Sequence, residues 1–181
     1  IKTVSNDIKP NNHTRVIDAT SRYVIPGLID CHVHLREPGL EYKETIETGS
    51  RAAAVGGYTT LICEPNTLPP IDSLEMVASF MERVNQKGVV NIYTKACITK
   101  GLLGEELTDI AKLATDKRVR ALSDDGNPVF YESLMKRACE LAAQSKLIIS
   151  PHCEDSQISL DKAKTNTNVA HFPGKPFCHE T

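Results

Sequence analysis

The stretch Asp30-Cys31-His32-Val33-His34-Leu35-Arg36-Glu37-Pro38-Gly39 decides how the rest of this 181-residue chain is read. It follows the apolar run Val24-Ile25-Pro26-Gly27-Leu28-Ile29, and together they read as a β-strand from Val24 to about Leu35. Side chains alternate along a strand. Leu28, Asp30, His32, His34 and Arg36 therefore share one side, and Ile29, Cys31, Val33 and Leu35 the other. A half-exposed strand would give the same alternation with its polar side in water. The strand–helix rhythm downstream favours a strand covered on both faces, as parallel strands usually are. A buried row of carboxylate, two imidazoles and a guanidinium must be paired, because lone buried charges are costly. A divalent metal held by His32 and His34 would satisfy most of the row, and zinc takes such nitrogens at about 2.0–2.1 Å.

Strand and helix patterns alternate from Val24 onward. A helix is expected over Tyr42 to Val55, stopped by Gly56-Gly57, and then a strand over Thr59-Thr60-Leu61-Ile62-Cys63. Asp72, with Glu75 three residues on, reads as the capping box of a second helix. Its inward face would be Leu74, Val77, Ala78, Met81 and Val84, and Lys87-Gly88 would end it. A third strand over Val89 to Ile98 precedes a third helix over Gly104 to Thr115, with Leu107, Ile110, Ala111 and Ala114 inward. Val119 to Leu122, Ser133 to Ser145 and Leu147 to Ser150 complete the series as strand, helix and strand. After His152 a polar loop is expected through Asn168. Five strands alternating with four helices mean a parallel α/β sheet. A doubly wound nucleotide-binding fold would carry a glycine-rich turn after its first strand. Here His-Leu-Arg-Glu-Pro-Gly follows instead, so the expected architecture is part of a (β/α)8 barrel.

In such barrels the chemistry collects at the C-terminal ends of the strands. The first strand ends in His32, His34 and Arg36, and the second in Glu64-Pro65-Asn66-Thr67. The fourth ends in Ser123-Asp124-Asp125-Gly126, and the fifth in Pro151-His152-Cys153-Glu154-Asp155. Asp125 and His152 are thus the next metal candidates; alone, they would equally be a turn aspartate before Gly126 and a surface histidine. Asp124 rivals Asp125, since neighbours on a strand face opposite ways.

The net charge of −2 and an ordinary composition give no nucleic-acid footprint. No apolar run is long enough to span a bilayer, and the start shows no signal-peptide pattern. The six cysteines lack C-x-x-C spacing and read as reduced, mostly buried thiols of a cytoplasmic protein. Cys31 and Cys153 adjoin predicted ligands but should face away from them. A complete barrel takes about 250 residues, so the chain reads as the first part of a longer enzyme.

The segment Pro26-Gly27-Leu28-Ile29-Asp30-x-His32-Val33-His34-Leu35-Arg36-Glu37-Pro38-Gly39 resembles the signature of dihydroorotases, members of the cyclic amidohydrolase superfamily. That resemblance implies a metal-dependent TIM-type (β/α)8 barrel, of which strands 1–5 would be present in 24–181. Residues 1–23, with short strands over Thr14–Asp18 and Arg22–Ile25, would be the remnant of a small β-sandwich. The resemblance implies one or two Zn2+ ions on His32, His34, Asp125 and His152, and substrate contacts from His34, Arg36 and Asn66. Many relatives use a carboxylated lysine after strand four; none stands there, which matches the aspartate-using, bacterial-type branch. The pattern departs at Glu64, where methionine is usual, adding a charge beside the substrate pocket.

The implied activity is reversible hydrolysis of dihydroorotate to carbamoyl aspartate, a step of pyrimidine biosynthesis. The general acid/base is expected beyond Thr181, so no catalytic residue falls within this chain, which by itself should bind zinc without turning over substrate. A homodimer or association with aspartate transcarbamoylase would fit the same branch. The alternatives are a hydantoinase- or allantoinase-like enzyme, and a non-catalytic scaffold for the transcarbamoylase. Arg36 argues against the first, because only a carboxylate-bearing substrate needs its bidentate fork. Retention of all four candidate ligands argues against the second.

Overall fold

The computed structural model describes residues 3–154. Five strands, β1 (Leu28–Val33), β2 (Tyr58–Cys63), β3 (Asn91–Ala96), β4 (Val119–Leu122) and β5 (Ile148–Ile149), form one sheet in the order β1-β2-β3-β4-β5. Every pairing is parallel. Helices α1 (Ile46–Val55), α2 (Leu74–Lys87), α3 (Ile110–Leu113) and α4 (Glu132–Ser145) connect them in turn. Sequential parallel pairing through crossover helices is the construction of a (β/α)8 barrel, and five of its eight strands are present. Leu61, Cys63, Ile92, Val119 and Leu122 of the sheet bury against Val77, Phe80, Met81 and Val84 of α2, Ile46 of α1 and Ala138 and Ala142 of α4 in one continuous core.

Polar residues at the helix starts set where the helices begin. Thr45, with its own side chain and that of Thr48, forms a reciprocal capping box, so α1 begins at Ile46 rather than at Tyr42. The cap of α2 is Ser73, whose hydroxyl accepts from the Met76 amide at 3.3 Å. Asp72, the expected cap, instead accepts from the Gly101 amide at 2.9 Å and ties down the loop after β3. The buried face of α2 includes Phe80, while Ala78 is exposed.

The expected third helix shrinks to one turn. Leu107 forms an antiparallel bridge with Thr99, and the Thr108 hydroxyl donates to the Cys97 and Ile98 carbonyls, so the chain is extended until Asp109 caps α3. Its buried residues are Ile110 and Leu113, with Ala111 exposed. The strands expected over Thr14–Asp18 and Arg22–Ile25 do not form. Val16, Ile17, Tyr23, Val24 and Ile25 are exposed, and no partner strand lies among the described residues to take their backbone groups. β1 accordingly starts at Leu28, and its outward Ile29 and Cys31 are exposed rather than covered. The cysteines depart from expectation in the same way. Cys63 and Cys97 are buried, but Cys31, Cys139 and Cys153 are exposed; none is in a disulfide, and Cys178 lies outside the described residues. The loop expected beyond Glu154 also lies outside them. Among the described residues no helix is long and apolar enough to cross a membrane.

Candidate metal centre

The C-terminal ends of β1, β2, β4 and β5 bring His32, His34, Glu64, Asn66, Asp125 and His152 together. The register explains how. Val33 pairs with Cys63 and the Glu64 amide donates to the Val33 carbonyl at 2.8 Å, so the two strands leave the sheet side by side. His32 and His34, two residues apart on one, then meet Glu64 and Asn66, two residues apart on the other. His32 Nδ1 lies 3.2 Å from Glu64 Oε1, and His34 Nδ1 lies 3.0 Å from Asn66 Oδ1. An amide oxygen only accepts, so His34 Nδ1 is the donor of this contact.

Asp125 is the hub. Its carboxylate lies 3.6 Å from His32 Nε2, 3.4 Å from His34 Nε2 and 3.5 Å from His152 Nδ1. These separations are too long for charge-assisted hydrogen bonds, which run at about 2.7–2.9 Å. Two donors each about 2.0–2.1 Å from one ion stand about 3.3–3.4 Å apart, close to these separations, with His34 facing Oδ2 and His32 and His152 facing Oδ1. One ligand atom from each of His32, His34 and Asp125 lies within 4.8 Å of the others. Two imidazole nitrogens and a carboxylate are donors that divalent zinc accepts, so the residues fit such an ion. His152 approaches from β5, with its Nε2 2.8 Å from Glu154 Oε2. That second contact resembles the carboxylate partner that commonly orients a ligating imidazole.

The two adjacent aspartates have different surroundings. Asp124 is buried and turned back into the fold, where it accepts from the Ile98 amide at 2.7 Å, the Thr99 amide at 3.1 Å and the Thr99 hydroxyl. Burial pushes its carboxyl above the usual range, against the pull of the Thr99 and Ile98 hydrogen bonds. Asp125 faces the histidines. Asn66 spans the site, with its amide nitrogen 2.9 Å from Asp125 Oδ2 and its oxygen on His34. The same nitrogen also donates to the Asp125 carbonyl at 3.3 Å, so both its contacts go to Asp125. Arg36, in the left-handed region at φ 58°, has no ion pair among the described residues. Asp30 instead accepts from the His32 amide at 3.0 Å, and Glu37 is engaged by Arg83 and Lys87 of α2. The site is also more open than a buried row would be, because His32 is over half exposed.

The charge at Glu64 has a partner that the sequence alone did not single out. Lys95 of β3 donates to Glu64 Oε1, and also to the Ser150 hydroxyl at 2.9 Å. Both charged side chains are buried. A lysine inside the run Ile92-Tyr93-Thr94-Lys95-Ala96-Cys97, one strand away from an equally misplaced glutamate, was the available signal.

Comparison with known proteins agrees with this architecture. The dihydroorotase of Thermoanaerobacter sp. is 48% identical over 160 residues, covering 88% of this chain and 36% of that protein. The dihydroorotase of Caldicellulosiruptor saccharolyticus is 43% identical over 180 residues, covering 96% of this chain and 42% of that protein. The chain thus spans a little over a third of the length of these relatives. Among solved structures, the L-hydantoinase (dihydropyrimidinase) from Arthrobacter aurescens superposes with a TM-score of 0.76 over 90% of this chain and 37% of its own, at 22% identity. That likeness concerns the fold alone. A family model described as dihydro-orotase-like matches residues 21–178, and with these relatives it shows that the chain belongs to the dihydro-orotase-like family.

Proposed function

We propose that the protein carrying this chain is a zinc-dependent dihydroorotase, interconverting dihydroorotate and carbamoyl aspartate. The observation that supports it is the clustering of His32, His34 and Asp125, with one ligand atom of each within 4.8 Å of the others, on the barrel's C-terminal rim. His32, His34 and Asp125 would hold the ion, with His152 as a further ligand. A bound zinc ion supplies Lewis acidity and lowers the pKa of water toward about 7. This chain's residues then orient and bind. Asn66 accepts from His34 Nδ1, which would leave Nε2 to hold the ion. The Arg36 guanidinium would grip the substrate carboxylate as a bidentate fork, with Asn66 and His34 beside it. Proton transfer to the leaving nitrogen is not assigned to a residue of this chain. Residues 1–23 would belong to a small companion β-sandwich and 24–181 to the barrel. A cytoplasmic location, self-association or association with aspartate transcarbamoylase would suit this reading.

Steady-state kinetics of the full-length, zinc-loaded protein test it. Arg36→Met should raise KM for dihydroorotate about 10–100-fold, the worth of a charge-assisted bond of about 1.5–3 kcal/mol. Unchanged kinetics on dihydroorotate would exclude the assigned substrate. Turnover of a cyclic ureide lacking a carboxylate, unaffected by the substitution, would move the protein to the hydantoinase-like reading.

A further inference from the structure

The turn that carries Arg36 away from β1 is strained at its centre and pinned on both sides. Arg36 stands at φ 58°, a left-handed value that few non-glycine residues adopt. The Glu37 amide closes a three-residue turn on the Leu35 carbonyl at 2.6 Å. Such conformations persist only where the surroundings over-determine them. Leu35, on one side, is buried in the apolar core. Glu37, on the other, is a buried carboxylate with three donors. Its Oε1 accepts from Lys87 and, at 3.4 Å, from Arg83, two cations one turn apart on α2. Its Oε2 accepts from the Ile46 amide at 3.3 Å, at the start of α1. The next residue carries the restraint to the neighbouring loop, where the Leu68 amide, two residues beyond Asn66, donates to the Pro38 carbonyl at 2.9 Å. Everything around Arg36 is tied down, while its own guanidinium has no ion pair among the described residues.

Stability does not account for Glu37, because replacing buried ion pairs by apolar groups of similar volume is often neutral or favourable. What a carboxylate adds is direction, since donors on two helices hold it in one place. We propose that Glu37, locked to Arg83 and Lys87 of α2 and to the first amide of α1, is a positioning residue that holds Arg36 in its strained turn and so aims its guanidinium at the substrate carboxylate. The inference rests on the reading that Arg36 grips that carboxylate. Ordering a long side chain on binding costs entropy, and a turn free to relax would add backbone freedom to that cost. The clamp removes the backbone share before substrate arrives. Through Pro38 and Leu68 it also keeps the loop of Arg36 in register with the loop of Asn66, so the two proposed carboxylate contacts form one unit.

A double-mutant cycle in the full-length, zinc-loaded protein tests this. Glu37→Gln keeps the shape of the side chain and an acceptor for the Ile46 amide. It releases Arg83 and Lys87, which are partly exposed and can turn to water. Its KM for dihydroorotate should rise about 5–20-fold, below the roughly 10²-fold that a 1 Å misplacement can cost. Its kcat and its zinc affinity, measured by competition with a chelator, should stay at wild type. Lys87→Gln, a milder change on the helix surface, should raise KM by less, and it carries the same cycle should Glu37→Gln not fold. In an Arg36→Met background neither substitution should raise KM further, because residues acting through one contact are not additive. In metal-free protein, hydrogen exchange read by mass spectrometry should be faster over residues 35–42 of the Glu37→Gln variant than in wild type. Unchanged KM, a loss confined to kcat or zinc affinity, or a full additive effect in the Arg36→Met background would overturn the proposal. Arg36→Met without effect on KM would instead sink the substrate reading. Exchange over residues 35–42 would then still decide whether Glu37 holds the turn: faster exchange in Glu37→Gln upholds it, and exchange as in wild type overturns it.

Discussion

Adjacent aspartates with opposite surroundings give a sharp test: Asp124→Ala should damage the fold and leave the proposed metal ligands intact, and Asp125→Ala the reverse. Asp124 accepts from two buried backbone amides, those of Ile98 and Thr99, and from the Thr99 hydroxyl. Alanine leaves both amides without a partner, at about 1–3 kcal/mol each. The hydroxyl costs less, because Thr99 Oγ1 also accepts from the Gly104 amide at 3.0 Å and can redirect its proton. Against this stands the relief of no longer burying a carboxyl whose ionisation the surroundings oppose. The net loss expected is about 2–4 kcal/mol, or roughly 5–15 °C in Tm for a unit of this size. Asp125→Ala removes a partly exposed carboxylate, so its urea midpoint should stay near wild type while zinc affinity collapses. Urea denaturation and chelator competition on both variants provide the readout. A loss under about 0.5 kcal/mol for Asp124→Ala, the range of ordinary surface changes, would refute the anchoring role. Intact zinc binding by Asp125→Ala would remove it from the ligand set.

Three further outcomes are expected. Gly39 adopts φ +91°, and a Cβ there would stand 2.0 Å from the Leu68 carbonyl oxygen. Gly39→Ala should therefore cost at least about 2 kcal/mol in urea denaturation, and a neutral effect would show that the two rim loops can separate freely. In a Cys178→Ser background, a thiol reagent at pH 8 should label Cys31, Cys139 and Cys153 quickly. Cys63, whose thiol burial pushes up to about 12, and buried Cys97 should resist, and fast labelling of all five would contradict the packing. The Arg118 guanidinium beside Asp116 holds that carboxyl below its ordinary 3.8. A depressed folded value stabilises above the unfolded value and is lost as pH falls through the folded one. Asp116→Asn should thus cost under about 1 kcal/mol at neutral pH, since Arg118 is well exposed. The gap to wild type should close below pH 3.8, and a constant gap down to pH 2 would assign it to packing.

The strands were legible because β-branched and apolar runs such as Thr59 to Cys63 have few other readings, and parallel topology follows from their alternation with helices. The rim was legible for a related reason. A barrel places strand ends at one level, so residues far apart in sequence could be grouped without any coordinates. Three things were hidden, and each depends on distant partners. Whether Thr14–Asp18 forms a strand depends on another strand to receive its hydrogen bonds. The third helix gave way to the Thr99–Leu107 bridge, a tertiary contact that outweighs helix periodicity. Asp72 and Ser73 compete for one cap, and the Gly101 amide decides between them. Lys95 was hidden most completely, since a lysine in a strand reads as a surface residue until an acid on the next strand is placed against it.

The order of the sheet carries a consequence for how the chain is made. Each strand pairs with its predecessor and with nothing earlier, so the sheet grows along one edge in the order in which a ribosome delivers it. His32 and His34 emerge about 90 residues before Asp125, a wait of roughly 5–20 s at 5–20 residues per second. Their neighbours Glu64 and Asn66 arrive early in that interval on the very next strand. His34 can therefore meet its Asn66 partner well before Asp125, the carboxylate that would complete an ion's shell, has been made. During synthesis, the histidines proposed as ligands precede by three strands the aspartate proposed to join them.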